Sequence, residues 1–262
     1  MKTVILCGGL GTRLREHTES LPKPMVEIGG RPMVWHIMKM YAQHRLTDFV
    51  LCLGYKGEVI RDYFVNYRAM QSDCTVALGS GDVEVHGEHD EQDWRVTLAS
   101  TGAATMTGGR VARVKKYTGD ERFCLTYGDG VSDIDLTALL RFHAAHGKTA
   151  TVVGVSPPGR FGELSIDDGR VTSFAEKPAD KLGMINGGFF VCEPAFHDYL
   201  STDAGCILER APLEQLAKDG QLMVYPHSGF WQCVDTFRDL NLLSRLWDDQ
   251  SAPWASWLVD VG

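Results

Sequence analysis

The chain has 262 residues, 44% of them hydrophobic and 23% charged, with a formal net charge of −8. That length suits one large α/β domain with a sizeable core, the composition excludes disorder and low complexity, and the acidic balance argues against a nucleic-acid partner. The seven cysteines (Cys7, Cys52, Cys74, Cys124, Cys192, Cys206 and Cys233) are odd in number and form no C-x-x-C pair. Free buried thiols in a reducing compartment are therefore expected, rather than disulfides or zinc. The first apolar run, Thr3–Cys7, is too short for a secretory signal, and no run has the length of a membrane span. The expectation is a cytoplasmic protein with no membrane partner.

Val4–Cys7 reads as a buried strand of a parallel sheet that ends in glycines. Pro22-Lys23-Pro24 forbids helix across its own stretch. A helix is expected from about Pro32, with Val34, Ile37, Met38 and Tyr41 on its apolar face. Asp48–Leu53 is a second buried strand, and Val59, Ile60, Tyr63, Phe64 and Tyr67 recur at helical spacing. The first 70 or so residues thus follow the β-loop-α-β-α order of a doubly wound parallel sheet. Three short strands, 74–78, 83–85 and 94–98, are expected as a hairpin or insertion beside that sheet.

Phe123–Tyr127 is a further buried strand that stops at Gly128-Asp129-Gly130. A helix over 135–146 and a strand over 149–155 follow. Later strands are expected at 163–166, 171–174, 188–191 and 222–225, and a last helix over 236–247. No linker or repeat interrupts the pattern, so a single domain over 1–262 is expected, with a short C-terminal extension over about 248–262.

Gly8-Gly9-Leu10-Gly11 follows a strand and can bring bare backbone N–H groups close to phosphate. The residues that follow, Thr12-Arg13-Leu14, exclude both the P-loop and the dinucleotide fingerprint. Taken alone, the glycines are equally compatible with a plain strand-to-helix turn. Arg13 and Lys23 add positive charge within reach of such a loop, which is what nucleotidyl transfer needs as charge moves onto the leaving group. Asp129, at the C-terminal edge of a parallel strand, points at a ligand crevice, with glycines on either side to leave room for a metal ion and its waters. Asp133 and Asp135 read as helix-start residues. Asp235, before the last helix, reads from its position alone as an N-cap. His143 and His146, spaced i, i+3, read as surface or core histidines.

The run from Gly8 to Leu14 together with Leu21-Pro22-Lys23-Pro24-Met25 resembles the signature of the sugar nucleotidyltransferase family. The resemblance implies a Rossmann-like α/β nucleotidyltransferase fold, with a mostly parallel central sheet, helices on both faces and a small β insertion. It implies a nucleotide bound by Leu6, Cys7, Gly8, Gly9, Leu10, Gly11, Thr12 and Gly128. By the same resemblance Arg13 meets the departing pyrophosphate and Lys23 the α-phosphate region. Asp129 and Asp235, the latter in Trp231-Gln232-Cys233-Val234-Asp235-Thr236, are implied to hold Mg2+. Glu176-Lys177-Pro178 and Asn186-Gly187-Gly188 resemble the family's sugar-phosphate segments. They place Lys177 at the acceptor phosphate, with Gly162, Glu176, Asn186 and Gly187 around the sugar.

Thr101–Arg110, Val26–Gly30, Trp35–Met40, Tyr55–Gly57, Tyr127–Gly130 and Pro157–Gly162 are similar to the corresponding segments of the glucose-1-phosphate cytidylyltransferases, and the likeness runs from residue 2 to about 257. It implies that Thr105 and Arg110 read the base, that CTP and glucose 1-phosphate are the substrates, and that the chain forms a homo-oligomer. The apolar run 254–261 is expected to dock on a neighbouring subunit, and the six tryptophans to serve packing or subunit contact. Two alternatives stay open. One is the same chemistry with another nucleotide or another phosphorylated acceptor. The other is a catalytically silent regulatory subunit of the same fold, against which Arg13, Lys23, Asp129, Lys177 and Asp235 argue together.

Overall fold

A computed structural model describes residues 1–9, 21–156, 162–167, 170–176 and 183–258, the segments 162–167 and 170–176 by their backbone alone. Strand β1 (Lys2–Cys7) leads to the small pair β2 (Glu27–Ile28) and β3 (Arg31–Pro32), and then to helix α1 (Met33–Ala42). Next come β4 (Asp48–Leu53), α2 (Gly57–Val65), α3 (Tyr67–Gln71), β5 (Asp73–Ala77), β6 (Asp82–His86) and β7 (Arg95–Ser100). The middle of the chain gives α4 (Thr107–Arg113), α5 (Lys115–Thr118), β8 (Phe123–Tyr127), β9 (Gly130–Ser132), α6 (Leu136–His146) and β10 (Ala150–Val155). The last part gives β11 (Gly162–Asp167), β12 (Arg170–Glu176), β13 (Ile185–Cys192), α7 (Ala211–Lys218), β14 (Leu222–His227), β15 (Trp231–Cys233) and α8 (Phe237–Asp248).

Seven strands form the central sheet in the order β14-β10-β13-β8-β1-β4-β7. All neighbours pair in parallel except β13, which runs antiparallel to both β10 and β8. Alternate side chains of β1 feed two hydrophobic clusters. Ile5 and Cys7 enter the one built with α1, α6 and α8, while Val4 and Leu6 enter the one built with α4 and α7. The strands are apolar on both faces because both faces are covered. This is the expected mostly parallel α/β sheet with helices on either side.

Several expectations need correction. Pro22-Lys23-Pro24 does not exclude helix altogether: Lys23–Met25 forms a 3-10 turn with Pro22 as its extended N-cap. Proline is tolerated there because an N–H in a first turn has no intrahelical partner to lose. Of the three strands expected beside the main sheet, only β5 and β6 form a separate hairpin; β7 joins the sheet edge parallel to β4. The last helix is capped by Thr236, in a reciprocal box with Asp239, and not by Asp235. Asp135 caps α6 as expected, whereas Asp133 pairs with His227 at 3.0 Å. All seven cysteines are free, but Cys74 is exposed and Cys206 and Cys233 are only partly buried. No described helix is long and apolar enough to cross a membrane.

The described part of the apolar tail packs on its own chain. Trp254 and Ala255 are each 2% exposed and belong to the core cluster of α1. His36, fully buried on α1, donates from Nε2 to Ile28 O at 2.9 Å and accepts at Nδ1 from Trp254 Nε1 at 3.4 Å. Both ring nitrogens are thus used by the neutral imidazole. Burial, the largest cause, lowers the His36 pKa to about 4. The unfolded chain therefore binds more protons than the folded one between pH ~6.5 and ~4, and stability falls as pH falls through that window, by on the order of 3 kcal/mol. Urea unfolding of the wild type and of His36→Phe between pH 7.5 and 4.5 should show a shallower acid loss in the variant. Parallel pH profiles would remove His36 as the cause.

Candidate active site

Three chain segments meet at the C-terminal edge of β1 and β8. Gly8 and Gly9 leave the end of β1. The backbone of β8 continues in register beside it, Gly128 N–H donating to Leu6 O at 3.0 Å. The 3-10 turn around Lys23 lies against Gly128: a Cβ there would stand 2.7 Å from Leu6 O and 3.0 Å from the Pro24 ring. Only glycine allows that approach. A two-stranded ribbon then pairs β9 with β15, Gly130 opposite Cys233, and Val234 N–H donates to Asp129 O at 2.8 Å. That ribbon sets Asp235 beside Asp129.

Lys23 Nζ lies 2.6 Å from Asp129 Oδ2 and 2.8 Å from Asp235 Oδ1, with its side chain 14% exposed. Burial disfavours the ammonium, but the charge and hydrogen bond of Asp129, then those of Asp235, outweigh it and hold the Lys23 pKa above its ordinary value. The Cys233 thiol nearby is pushed up to about 12, by burial first and then by Asp235 and Asp129. Two convergent carboxylates, open to a cleft, fit a small divalent cation whose remaining ligands are phosphate oxygens and water.

Two clefts meet at this triad. One of about 400 Å3 is lined by Leu6, Gly8, Gly9, Thr105, Arg110 and Gly128, with Lys23 and Asp129 on its wall. Cys7 does not line it; its side chain is fully buried beneath. Arg110, 4% exposed, lies under the glycine segment. It donates to Gly8 O (2.9 Å), Ala103 O (3.3 Å), Leu53 O (3.2 Å) and Thr101 Oγ1 (2.9 Å). These four partners are uncharged, so the guanidinium lends positive potential to the cleft. Thr105 Oγ1 accepts from Arg113 Nη1 at 2.7 Å.

The second cleft, about 490 Å3, is lined by Asp129, Asn186, Gly187, Glu209, Trp231 and Asp235 among others. Asp129 and Tyr127 face both clefts. Trp231 Nε1 donates to Gly187 O at 2.7 Å, and Asn186 Oδ1 accepts from Gly188 N at 2.8 Å. Gly188 has φ +83°, and a Cβ there would lie 2.6 Å from the Tyr127 ring. Gly162 pairs with Glu176 across β11 and β12. Leu10, Gly11, Thr12, Arg13 and Lys177 lie outside the described residues. A larger cleft of about 720 Å3, between α2, α3 and β7, holds none of the expected site residues.

The nucleotidyl transferase family matches residues 2–247. The chain belongs to that family. It is 53% identical over 258 residues to a glucose-1-phosphate cytidylyltransferase of Salmonella typhi, covering 98% of this chain and 100% of that one. It is 44% identical over 257 residues to a probable glucose-1-phosphate cytidylyltransferase of Bacillus subtilis, again with 98% and 100% covered. The solved structure of HddC from Yersinia pseudotuberculosis complexed with GMP-PN aligns with a TM-score of 0.67 at 22% identity, over 94% of this chain and 99% of that one, a likeness of fold. Members of this nucleotidyltransferase family generally use a divalent metal.

Tyr127 and Glu209, which sequence reasoning left without a role, and Trp231, expected with the other tryptophans to serve packing or subunit contact, all line the second cleft. Tyr127 carried a signal, standing next to Gly128-Asp129-Gly130 at a strand end. Glu209 carried none, since it sits in an irregular segment without periodicity or motif. The crowding around Arg110 is open to test. A Cβ on either Gly8 or Gly54 would fall on the guanidinium. Gly8→Ala and Gly54→Ala should each cost about 1–3 kcal/mol in urea unfolding, and unchanged midpoints in both would show that Arg110 moves aside freely.

Proposed function

We propose that this nucleotidyltransferase transfers CMP from CTP to α-D-glucose 1-phosphate, giving CDP-glucose and pyrophosphate. The observation that carries the reading is Lys23 paired to Asp129 and Asp235 where the two clefts meet. The identity to glucose-1-phosphate cytidylyltransferases along almost the whole chain supports the choice of substrates. The glycine-lined cleft takes the nucleotide, with Leu6, Gly8, Gly9 and Gly128 along its phosphates. Thr105 and Arg110 are assigned to the base end, Thr105 offering its hydroxyl to cytosine and Arg110, whose Nη groups donate to Gly8 O, Ala103 O, Leu53 O and Thr101 Oγ1, lending positive charge beneath it. The cleft lined by Asn186 and Gly187 takes the sugar phosphate.

An oxygen of the sugar phosphate attacks the α-phosphorus in line, and the bond to pyrophosphate breaks. No general base is required, because that phosphate is already ionised at neutral pH. Lys23 turns from the carboxylates to the α-phosphate and balances its charge. Mg2+ bound by Asp129 and Asp235 would supply charge neutralisation at the phosphates. Arg13 and Lys177 are assigned to the pyrophosphate and the acceptor phosphate from the sequence. We further propose that residues 1–262 act as one nucleotidyltransferase domain with a short extension from about 248, in the cytoplasm. A homo-oligomer is supported by the β5–β6 hairpin, which holds out Val76, Leu78 and Val83, Leu78 being 92% exposed; light scattering should give a multiple of 29.0 kDa.

Pyrophosphate release from CTP, UTP, dTTP, ATP and GTP against several sugar 1-phosphates should peak at CTP with glucose 1-phosphate. A faster reaction of another pair would replace the substrates named here, and turnover with no pair would favour a regulatory subunit. Lys23→Ala and Asp129→Ala should each lower kcat by about a hundredfold or more at near-normal melting temperature. Full activity in EDTA would remove the cation from the reading.

A further inference from the structure

We propose that Glu209 is a positioning residue that holds Tyr127 and Asn186 in the second cleft and so sets the affinity for the sugar 1-phosphate; this rests on the reading of that cleft given under Proposed function. Glu209 Oε1 accepts from Tyr127 OH at 2.5 Å, and Oε2 accepts from Thr107 Oγ1 at 2.7 Å. An ionised carboxylate only accepts, so it fixes the direction of both hydroxyl protons. With its proton committed to Glu209, the Tyr127 oxygen is the acceptor for Asn186 Nδ2 at 3.2 Å. Asn186 must then present its amide oxygen the other way, where it receives Gly188 N–H at 2.8 Å. The acceptor that Glu209 offers Tyr127 thereby decides which face Asn186 shows to the cleft.

The neighbours of this chain of bonds are built to hold it still. The Tyr127 ring fills the space that a side chain on Gly188 would need. Thr107 also accepts from Leu208 N at 3.0 Å, which ties the Glu209 segment to the start of α4. Thr107 lines the first cleft and Glu209 the second, and Tyr127 lines both. The carboxylate therefore joins the segment proposed to meet the base with the segment proposed to meet the sugar. Its own contact with those segments is through hydroxyls, and its effect on the acceptor is exerted through Tyr127 and Asn186.

Steady-state kinetics on the full-length enzyme test this. Glu209→Ala should raise KM for glucose 1-phosphate about tenfold through loss of the charged hydrogen bond to Tyr127, with KM for CTP within about twofold of wild type. Tyr127→Phe should do the same, and the double variant should be no worse than the poorer single, because both remove the bond between Tyr127 and Glu209. Glu209→Gln keeps an acceptor for Tyr127 and should restore KM to within about threefold. Melting temperatures identify any variant that fails to fold, and Tyr127→Phe and Glu209→Gln, both near-isosteric, keep the test available in that event. Equal rises in both KM values, additive single effects, or unchanged kinetics in Glu209→Ala would overturn the assignment. Should the wild type not use CTP with glucose 1-phosphate, the proposed reaction falls. The same variants are then run on whichever pair reacts, and the positioning role stands only if the acceptor KM alone responds.

Discussion

The site depends on bringing two carboxylates from distant parts of the chain to one ammonium. Like charges that close repel unless something forces them together and something else neutralises them. The force is backbone pairing: β9 hydrogen-bonds to β15, and Asp129 O receives Val234 N–H, so the second residue after β8 and the second after β15 share one corner. Lys23 supplies the neutralisation, held by a 3-10 turn whose prolines leave its backbone few alternatives. Two carboxylates converging on one ammonium suit the corner to exchange that ammonium for a divalent cation and to release the lysine toward a phosphate.

The two clefts follow from the same geometry. Parallel strands β1 and β8 end side by side, and a sheet of this kind opens its crevice at the carboxyl ends of its strands. The antiparallel strand β13 enters between β8 and β10 and brings Asn186-Gly187-Gly188 to the other side of Asp129. Arg110 closes the first cleft from below, tied to Gly8 and Ala103, so the glycine segment and the segment expected to read the base are joined through one guanidinium. Tyr127 and Glu209 perform the comparable linkage on the far side. Helix α8 contributes at a distance: its cap uses Thr236 and Asp239, which leaves Asp235 to the triad.

Much of this was legible before folding. The buried strands β1, β4, β8 and β10 stand where continuous apolar runs predicted them, since strands covered on both faces carry no polar alternation. Lys23, Asp129 and Asp235, named separately from the sequence, prove to be mutual neighbours. The misplacements have local causes. Residues 95–100 read as part of a hairpin because pairing partners cannot be inferred from alternation, and only the edge of β4 decides where β7 goes. Asp235 and Thr236 both suit an N-cap chemically, and the choice fell to the backbone position that aims Thr236 at Asp239 N.

The sequence by itself determined the class of chemistry and the family, because a glycine turn, a cation between prolines and acidic strand ends are local patterns whose meaning does not depend on the rest of the chain. It also fixed the α/β layering through hydrophobic periodicity. Only the tertiary structure decided which charges meet, that Arg110 is spent largely on backbone carbonyls, that Trp254 closes the chain's own core against His36, and that Glu209 reaches Tyr127. Those are contacts between residues far apart in the chain, and they depend on strand order and ribbon pairing that no local pattern encodes.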